Sequence, residues 1–227
     1  MSRVYVPWYQ RKEIVETYES WYQGPEGERM DRLEKATLRA LLEPMQPKSL
    51  LEVGSGTAHF TRWFASELGL KTVGVDLSSL MLTEARKYWD GPLVQADAAA
   101  LPFRDRSFDV VAFITSFEYM PDPVRVLREA GRVARTGILL GLMNRWSAAT
   151  VRRRVQELFG KTPFFGNAHF YSLPEIKKLL QRALGDRITE IRWQSTLFPK
   201  GFPWQTARLP FGNFLALAVH LREVPHG

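Results

Sequence analysis

From residue 49 onward, short apolar runs alternate with stretches in which apolar residues recur at helical spacing. Because the runs are apolar throughout, we expect strands buried on both faces of a parallel sheet that is covered by helices. The predicted strands cover residues 49–53, 72–75, 93–96, 108–114 and 137–143, and the predicted helices cover residues 57–68, 78–88 and 123–133.

The segment before residue 48 has a different pattern, with one amphipathic helix preceded by aromatic residues. Seven residues at steps of three or four predict a single buried face: Met30, Leu33, Thr37, Leu38, Leu41, Leu42 and Met45. Pro44 and Pro47 end this helix. Upstream, Tyr18, Trp21 and Tyr22 precede a turn-forming loop at residues 24–27, so the segment is either a lid or a packed N-terminal helix.

The last third of the chain predicts further helices and two strands. A basic helix at 147–159 and a loop at 160–171 lead to a helix at 173–184, whose start is marked by a Ser172 and Glu175 capping box. The runs 188–197 and 214–221 are strand-like and predict a hairpin-like addition to the sheet.

Composition limits the classes of protein and of site. The 227 residues are 45% hydrophobic and 24% charged, as in globular proteins with a proper core. No apolar run is long enough to cross a bilayer or to act as a secretory signal, so we expect a cytoplasmic protein. The chain has no cysteine and four scattered histidines, and we expect no metal site. The net charge of +7 permits an anionic partner such as RNA without requiring one.

The most specific motif runs from the first predicted strand through Gly54-Ser55-Gly56 into a helix. Glycines allow a tight turn and a close approach to a ligand. Asp76 follows Gly56 by 20 residues and ends the second strand, where its carboxylate can accept hydrogen bonds from ribose hydroxyls. A nucleoside is therefore the expected ligand. His59 occupies the position where a dinucleotide site needs its third glycine, which counts against a dehydrogenase.

Five segments in order resemble class I S-adenosylmethionine-dependent methyltransferases, in the manner of small-molecule enzymes related to the quinone pathway. They are residues 52–57, 73–82, 96–103, 107–111 and 117–123, and the resemblance covers residues 48–145. It implies a doubly wound, mostly parallel, Rossmann-like sheet of seven strands with an antiparallel last strand. Residues 1–47 are then an N-terminal helical lid of the same domain, and residues 48–227 the methyltransferase domain, with a substrate cap inserted at about 145–186.

The resemblance also implies ten contacts with S-adenosylmethionine, which leaves as S-adenosylhomocysteine. The methionine part is expected near Glu52, Gly54, Ser55 and Gly56; the ribose at Asp76; the adenine at Leu77, Met81, Asp97 and Ala98; and the sulfonium beside Thr115. Carboxylates suit a cofactor that carries a net positive charge and several donors.

Two residues depart from the family pattern. Ala58 replaces the third glycine of the loop, which is tolerable if that residue has helical dihedrals. Tyr119 replaces a histidine that can serve as a base. Glu118, Tyr119 and His169 are candidate bases by position, and we assign none of them, because in-line alignment alone can supply much of the acceleration.

The acceptor is expected to be a small molecule, apolar or aromatic, bound by aromatic residues outside the matched region: Trp8, Tyr9, Trp21, Tyr22, Trp146, Phe159, Phe164, Phe165, Phe170, Tyr171, Phe198, Phe202 and Trp204. Two alternatives stay open: an RNA methyltransferase that uses the basic surface, including Arg152 to Arg154, and a non-catalytic partner subunit that binds S-adenosylmethionine.

Overall fold

The computed structural model describes residues 7–152, 168–199, 201–203 and 205–222. These residues form one eight-stranded sheet with helices on both faces. The strands are β1 (Ser49–Val53), β2 (Lys71–Asp76), β3 (Leu93–Gln95), β4 (Phe108–Ile114), β5 (Ala134–Met143), β6 (Ile188–Thr196), β7 (Thr206–Ala207) and β8 (Phe214–Leu221).

The strand order is β3-β2-β1-β4-β5-β8-β6-β7. Strands β1 to β5 pair in parallel, whereas β8 is antiparallel to both β5 and β6. The order reverses at β1, since the chain adds strands first on one side of β1 and then on the other. This arrangement confirms the predicted doubly wound sheet and the hairpin-like pair at its end.

The predicted number of strands, seven, is wrong. The eighth strand is β7, a two-residue strand at the edge of the sheet, in which Ala207 pairs with Ser195 of β6. It lies in a turn-rich segment and has no apolar run, so hydrophobic patterning could not reveal it.

The helices are α1 (Lys12–Val15), α2 (Pro25–Leu42), α3 (His59–Ser66), α4 (Ser79–Ala85), α5 (Pro123–Val133) and α6 (Leu173–Leu184). Turns of 3-10 helix cover Trp8–Gln10, Tyr18–Gln23, Glu43–Met45, Phe117–Tyr119 and Gly185–Arg187. Helix α2 ends at Leu42, and the expected Pro44 lies in the 3-10 turn that follows it. Helix α6 begins with the predicted capping box of Ser172 and Glu175. The predicted helix 147–159 is helical at 148–152, and its remainder lies outside the described residues.

Alternating residues of the central strands supply two cores. Leu51 of β1 packs with α5 and α6 on one face of the sheet. Leu50, its neighbour, packs with α2 and α3 on the other face, because successive strand side chains point to opposite faces. No helix of the described ranges is long and apolar enough to span a membrane.

The division into lid, methyltransferase domain and substrate cap stays a prediction. Within the expected cap range, α6 contributes Ile176 and Leu180 to the core beside α5. Both side chains are completely buried, so this helix also supports the sheet.

Candidate functional site

A cavity of about 760 Å³ opens at the carboxyl ends of β1, β2 and β4, where the strand order reverses. Open α/β sheets commonly bind ligands at this place. All ten residues predicted to contact the cofactor line the cavity: Glu52, Gly54, Ser55, Gly56, Asp76, Leu77, Met81, Asp97, Ala98 and Thr115. The sequence therefore located this cavity correctly, although its ligand contacts stay a prediction.

The glycine loop folds tightly against the end of β2. The backbone N–H groups of Gly54 and Ser55 both donate to the Val75 carbonyl oxygen, at 2.7 and 2.9 Å. Gly54 has φ +73°, and an added Cβ would lie 2.4 Å from Ser116 Cβ. Position 54 therefore requires glycine for two reasons: its positive φ, and the lack of room for a Cβ beside Ser116.

The condition under which Ala58 was expected to fit the loop is not met. Ala58 has φ +61° and ψ 27°, a left-handed conformation at the N-cap of α3, and it is completely buried. This conformation costs a non-glycine residue about 1–2 kcal/mol. Its N–H donates to the Ser55 carbonyl oxygen at 2.8 Å, so the loop hydrogen bond forms in spite of the strain.

Asp76 lines the cavity at the end of β2. Its Oδ2 accepts the Gly56 N–H and its Oδ1 accepts the Ser78 N–H, both at 2.8 Å. These bonds fix the orientation of the carboxylate, and each oxygen keeps a further lone pair for a ligand. Burial nevertheless raises the pKa of Asp76, since these backbone donors only partly offset its desolvation.

Glu52 and Ser55 present buried polar atoms to the cavity. The Thr61 hydroxyl donates to Glu52 Oε2, but burial raises the pKa of Glu52 to about 8. A cation beside this carboxyl would lower the pKa and stabilise the charged form. Ser55 Oγ is buried without a hydrogen-bond partner among the described residues. The Glu52 carboxyl group can pair with a cation, and the Ser55 hydroxyl can hydrogen-bond to a polar ligand.

The residues predicted to flank an adenine lie along one wall. Met81 is buried at the start of α4, whereas Leu77 is 57% exposed at the rim. Asp97 Oδ1 accepts the Ala99 N–H at 2.8 Å, which fixes the loop after β3. On the opposite side, Thr115 follows β4 with φ +49°, a strained conformation for a β-branched residue.

Aromatic residues of the N-terminal segment also line the cavity. Trp8 stacks on Tyr18, with ring centroids 5.3 Å apart, and Tyr119 meets Trp8 edge-on at 5.8 Å. Of the aromatic residues predicted to recognise the acceptor, Trp8, Tyr9, Tyr22 and Tyr171 line the cavity.

The other predicted aromatic residues divide into two groups. Trp21, Trp146, Phe170, Phe198 and Phe202 are described but are not among the lining residues. Phe198 and Phe202 instead stack on each other at 4.6 Å. Phe159, Phe164, Phe165 and Trp204, like Arg153 and Arg154, lie outside the described residues.

All three candidate bases line the cavity. Glu118 is 1% exposed; its Oε1 accepts the Met143 N–H at 2.5 Å, and its Oε2 has no partner among the described residues. Burial raises the pKa of Glu118 to about 7. His169 donates its backbone N–H to the Glu118 carbonyl oxygen at 2.8 Å, while its imidazole Nε2 lies 2.6 Å from Glu175 Oε1.

Hydrophobic patterning missed a polar cluster that joins the N-terminal segment to the glycine loop. Glu19 accepts hydrogen bonds from the Thr57 hydroxyl and, at 2.8 Å, from Arg62 Nη2. The ring of His59 stacks on Tyr22 at 3.7 Å, with an angle of 8° between the planes. The partners are about 40 residues apart in the chain, so local spacing carries no indication of these contacts.

Comparisons with known proteins agree with this geometry. Residues 51–140 match a family described as a methyltransferase domain. A demethylmenaquinone methyltransferase of Roseiflexus is 29% identical over 180 residues, covering 75% of this chain and 69% of the relative. An uncharacterized protein of Mycobacterium tuberculosis is 32% identical over 72% of this chain, which spans 55% of that relative.

The fold is also similar to a crystal structure of an S-adenosylmethionine-dependent methyltransferase from Thermotoga maritima. The TM-score is 0.68 at 24% identity, and the alignment covers 95% of this chain and all of that one.

Proposed function

We propose that this chain, which belongs to the class I S-adenosylmethionine-dependent methyltransferases, transfers a methyl group from S-adenosylmethionine to a small-molecule acceptor. The proposal rests mainly on the geometry of Asp76. The N–H groups of Gly56 and Ser78 hold its carboxylate in place where the strand order reverses. A carboxylate fixed there is suited to the two hydroxyls of a ribose.

In this proposal the adenosine lies along the wall formed by β2 and β3. Asp76 binds the ribose, Leu77 and Met81 contact the faces of the adenine, and Asp97 with Ala98 contacts its amino edge. The burial of Met81 and the hydrogen bond that fixes Asp97 support these roles, since a preorganised contact binds with a smaller entropic cost.

The methionine part lies beside the glycine loop. Gly54 and Gly56 allow the close approach, Ser55 Oγ donates to or accepts from the ligand, and Glu52 pairs with the ammonium group. Glu52 and the Ser55 hydroxyl support this because both are buried polar groups. Thr61 and His59 only partly offset the desolvation of Glu52, and Ser55 Oγ has no hydrogen-bond partner among the described residues. Thr115 lies beside the sulfonium, and its position in the cavity lining supports this role.

The sulfonium of the cofactor supplies an already activated methyl group, so the chain has to align an acceptor and exclude water. Alignment of reacting groups can supply about 7–11 kcal/mol in the best cases. Residues 7–23 fit the role of lid, since they cover the cavity with Trp8 and Tyr18 and are tied to α4 by the Ser78 hydroxyl, which donates to the Tyr9 carbonyl oxygen at 2.8 Å.

The acceptor has an apolar or aromatic body, because Trp8, Tyr9, Tyr119 and Tyr171 line the cavity. Among the described lining residues none is Lys or Arg, which disfavours an RNA acceptor held at its phosphates. A cytoplasmic location and the absence of a resident metal stay predictions.

Partition of a labelled methyl group tests this function. The folded chain is incubated with methyl-labelled S-adenosylmethionine and a cell extract, and label is then counted in the small-molecule, RNA and protein fractions. The proposal expects label in small molecules, and much less of it with Asp76→Asn. Label in RNA alone supports the RNA alternative, and no transfer by a chain that binds the cofactor supports the non-catalytic one.

A further inference from the structure

The described lining of the cavity has a formal charge opposite in sign to that of the whole chain. The whole sequence carries a formal charge of +7, but the described lining residues include five carboxylates and neither Lys nor Arg. The carboxylates are Glu52, Asp76, Asp97, Glu118 and Glu175. A cleft lined by one sign of charge concentrates ligands of the other sign, so this cavity favours cations and disfavours anions.

Four of the five carboxylates already have a role or partners. Glu52, Asp76 and Asp97 belong to the proposed cofactor half of the cavity. Glu175 pairs with His169 Nε2 at 2.6 Å and with Arg145 Nη1 at 3.3 Å. Glu118 is the exception, because one of its oxygens is unused.

Glu118 is held rigidly with one oxygen left for a ligand. Its Oε1 is fixed by the Met143 N–H, and its carbonyl oxygen is fixed by the His169 N–H. Oε2 is buried without a hydrogen-bond partner among the described residues, in a residue that lines the cavity. A buried carboxylate oxygen that lacks a donor is costly, and a donor on the acceptor would remove that cost.

The surroundings of Glu118 suit an ammonium group more than a neutral donor. Tyr119, the next residue, belongs to the aromatic cluster with Trp8 and Tyr9. Tyr171 also lines the cavity, and it lies close enough for Glu118 to help raise its pKa, after burial. Aromatic ring faces attract cations within about 6 Å, most strongly where water is excluded.

Another acidic group near Glu118 also favours a bound cation. Glu34 of the buried face of α2 lies near Glu118: burial first, then Asp31 and Glu118, raise the pKa of Glu34 to about 8. Lys35 opposes that shift, without outweighing it. Glu34 does not line the cavity, but it adds a further carboxyl group near Glu118, and a bound cation would stabilise the charged form of both.

We propose that the methyl acceptor is an amine that enters as its ammonium ion, and that Glu118 Oε2 binds it and takes its proton. This inference rests on the proposed function. The proton moves from nitrogen to Glu118 Oε2, which frees the nitrogen lone pair. That lone pair forms the new N–C bond to the methyl carbon, and the electron pair of the C–S bond stays on sulfur. Glu118 is thus a catalytic base, and the product is the methylated ammonium ion.

Three probes of similar shape and different charge test the proposal: 2-phenylethylamine, 2-phenylethanol and phenylacetate. Each is titrated calorimetrically at pH 7.5 into the chain loaded with S-adenosylhomocysteine. We expect the amine to bind at least about tenfold more tightly than the alcohol, with no measurable binding of the acid. The amine is also expected to accept label from methyl-labelled S-adenosylmethionine.

Variants test whether Glu118 causes the preference for the amine. Glu118→Gln keeps an oxygen for the Met143 N–H but removes the carboxylate, so it should lose the preference for the amine and keep its affinity for S-adenosylhomocysteine. Glu84→Gln is the matched control, because Glu84 is also buried but does not line the cavity. The control should behave as the unchanged chain.

Each outcome decides between the two proposals. If the chain binds no S-adenosylhomocysteine, the proposed function fails and this inference fails with it. If it binds the cofactor product but binds phenylacetate as well as the amine, or binds no amine, only this inference is overturned. The ranking of probes by the unchanged chain decides the matter even if Glu118→Gln does not fold.

Discussion

His59 Nε2 lies 2.6 Å from Asp31 Oδ1, which joins the first residue of α3 to the middle of α2. Its other ring nitrogen, Nδ1, lies 3.8 Å from Glu19 Oε2. The imidazole therefore connects two parts of the N-terminal segment to the helix that follows the glycine loop. The resemblance to a family gave this histidine no role, and its contacts give it a structural one.

The His59 contacts predict a pH-dependent stability. Burial alone would lower the pKa of His59, but the carboxylates of Asp31 and Glu19 outweigh burial and raise it. A raised folded-state pKa stabilises the fold fully below the unfolded value, about 6.5, and this contribution is lost as pH rises through the folded value. Denaturant unfolding between pH 5 and 9 should show this loss.

His59→Gln provides the comparison for that titration. The variant should lose about 1.5–3 kcal/mol at pH 6 and should lack the decline of stability above pH 6.5. Equal pH dependence in the two proteins would show that other groups cause it.

Ala58→Gly should stabilise the protein. Glycine removes the cost of the left-handed conformation but increases the entropy of the unfolded chain, which leaves a net gain of about 0.5–1 kcal/mol. Ala130→Gly is the control, because Ala130 lies inside α5 and is completely buried; it should destabilise by at least about 1 kcal/mol. If urea unfolding shows that Ala58→Gly is less stable than the unchanged chain, the left-handed conformation of Ala58 is not strained.

The sequence predicted the type of sheet and the residues that line the cavity, for physical reasons. Runs such as 108–114, apolar except for Asp109, are typical of buried strands, and parallel strands bring their carboxyl ends to one edge of the sheet. Ala58 shows the limit of this reasoning, because the residue type does not reveal the sign of φ. The partners of Glu118 and His59 depend on contacts between distant segments, such as Met143 and Asp31, which no local pattern encodes.

Gly54→Ala should be more harmful than the same change at Gly69. Both glycines have φ near +70°, but an added Cβ meets Ser116 at 2.4 Å at Gly54 and nothing within 4 Å at Gly69. Gly69→Ala should cost about 1–2 kcal/mol from backbone strain alone. Gly54→Ala should cost at least about 1 kcal/mol more and should lose affinity for S-adenosylmethionine. Equal losses of stability would show that crowding is unimportant.

Glu52 predicts that cofactor affinity depends on pH. Burial raises the pKa of Glu52 to about 8, and only its charged form pairs with an ammonium group. Affinity for S-adenosylmethionine should therefore increase from pH 6 to 8, with release of a proton that is visible as a buffer-dependent heat of binding. Glu52→Gln should bind more weakly, with no such proton release. A pH-independent affinity in the unchanged chain would contradict the pairing.

Calorimetric titration with S-adenosylmethionine tests the central claim, that Asp76 and the glycine loop form a nucleoside site. We expect saturable binding, weakened about 10- to 100-fold by Asp76→Asn and unchanged by Asp186→Asn, an exposed aspartate outside the cavity. A nicotinamide dinucleotide should not bind. Equal affinity of the Asp76→Asn variant, or no binding of S-adenosylmethionine by the folded chain, would contradict the assignment of this cavity.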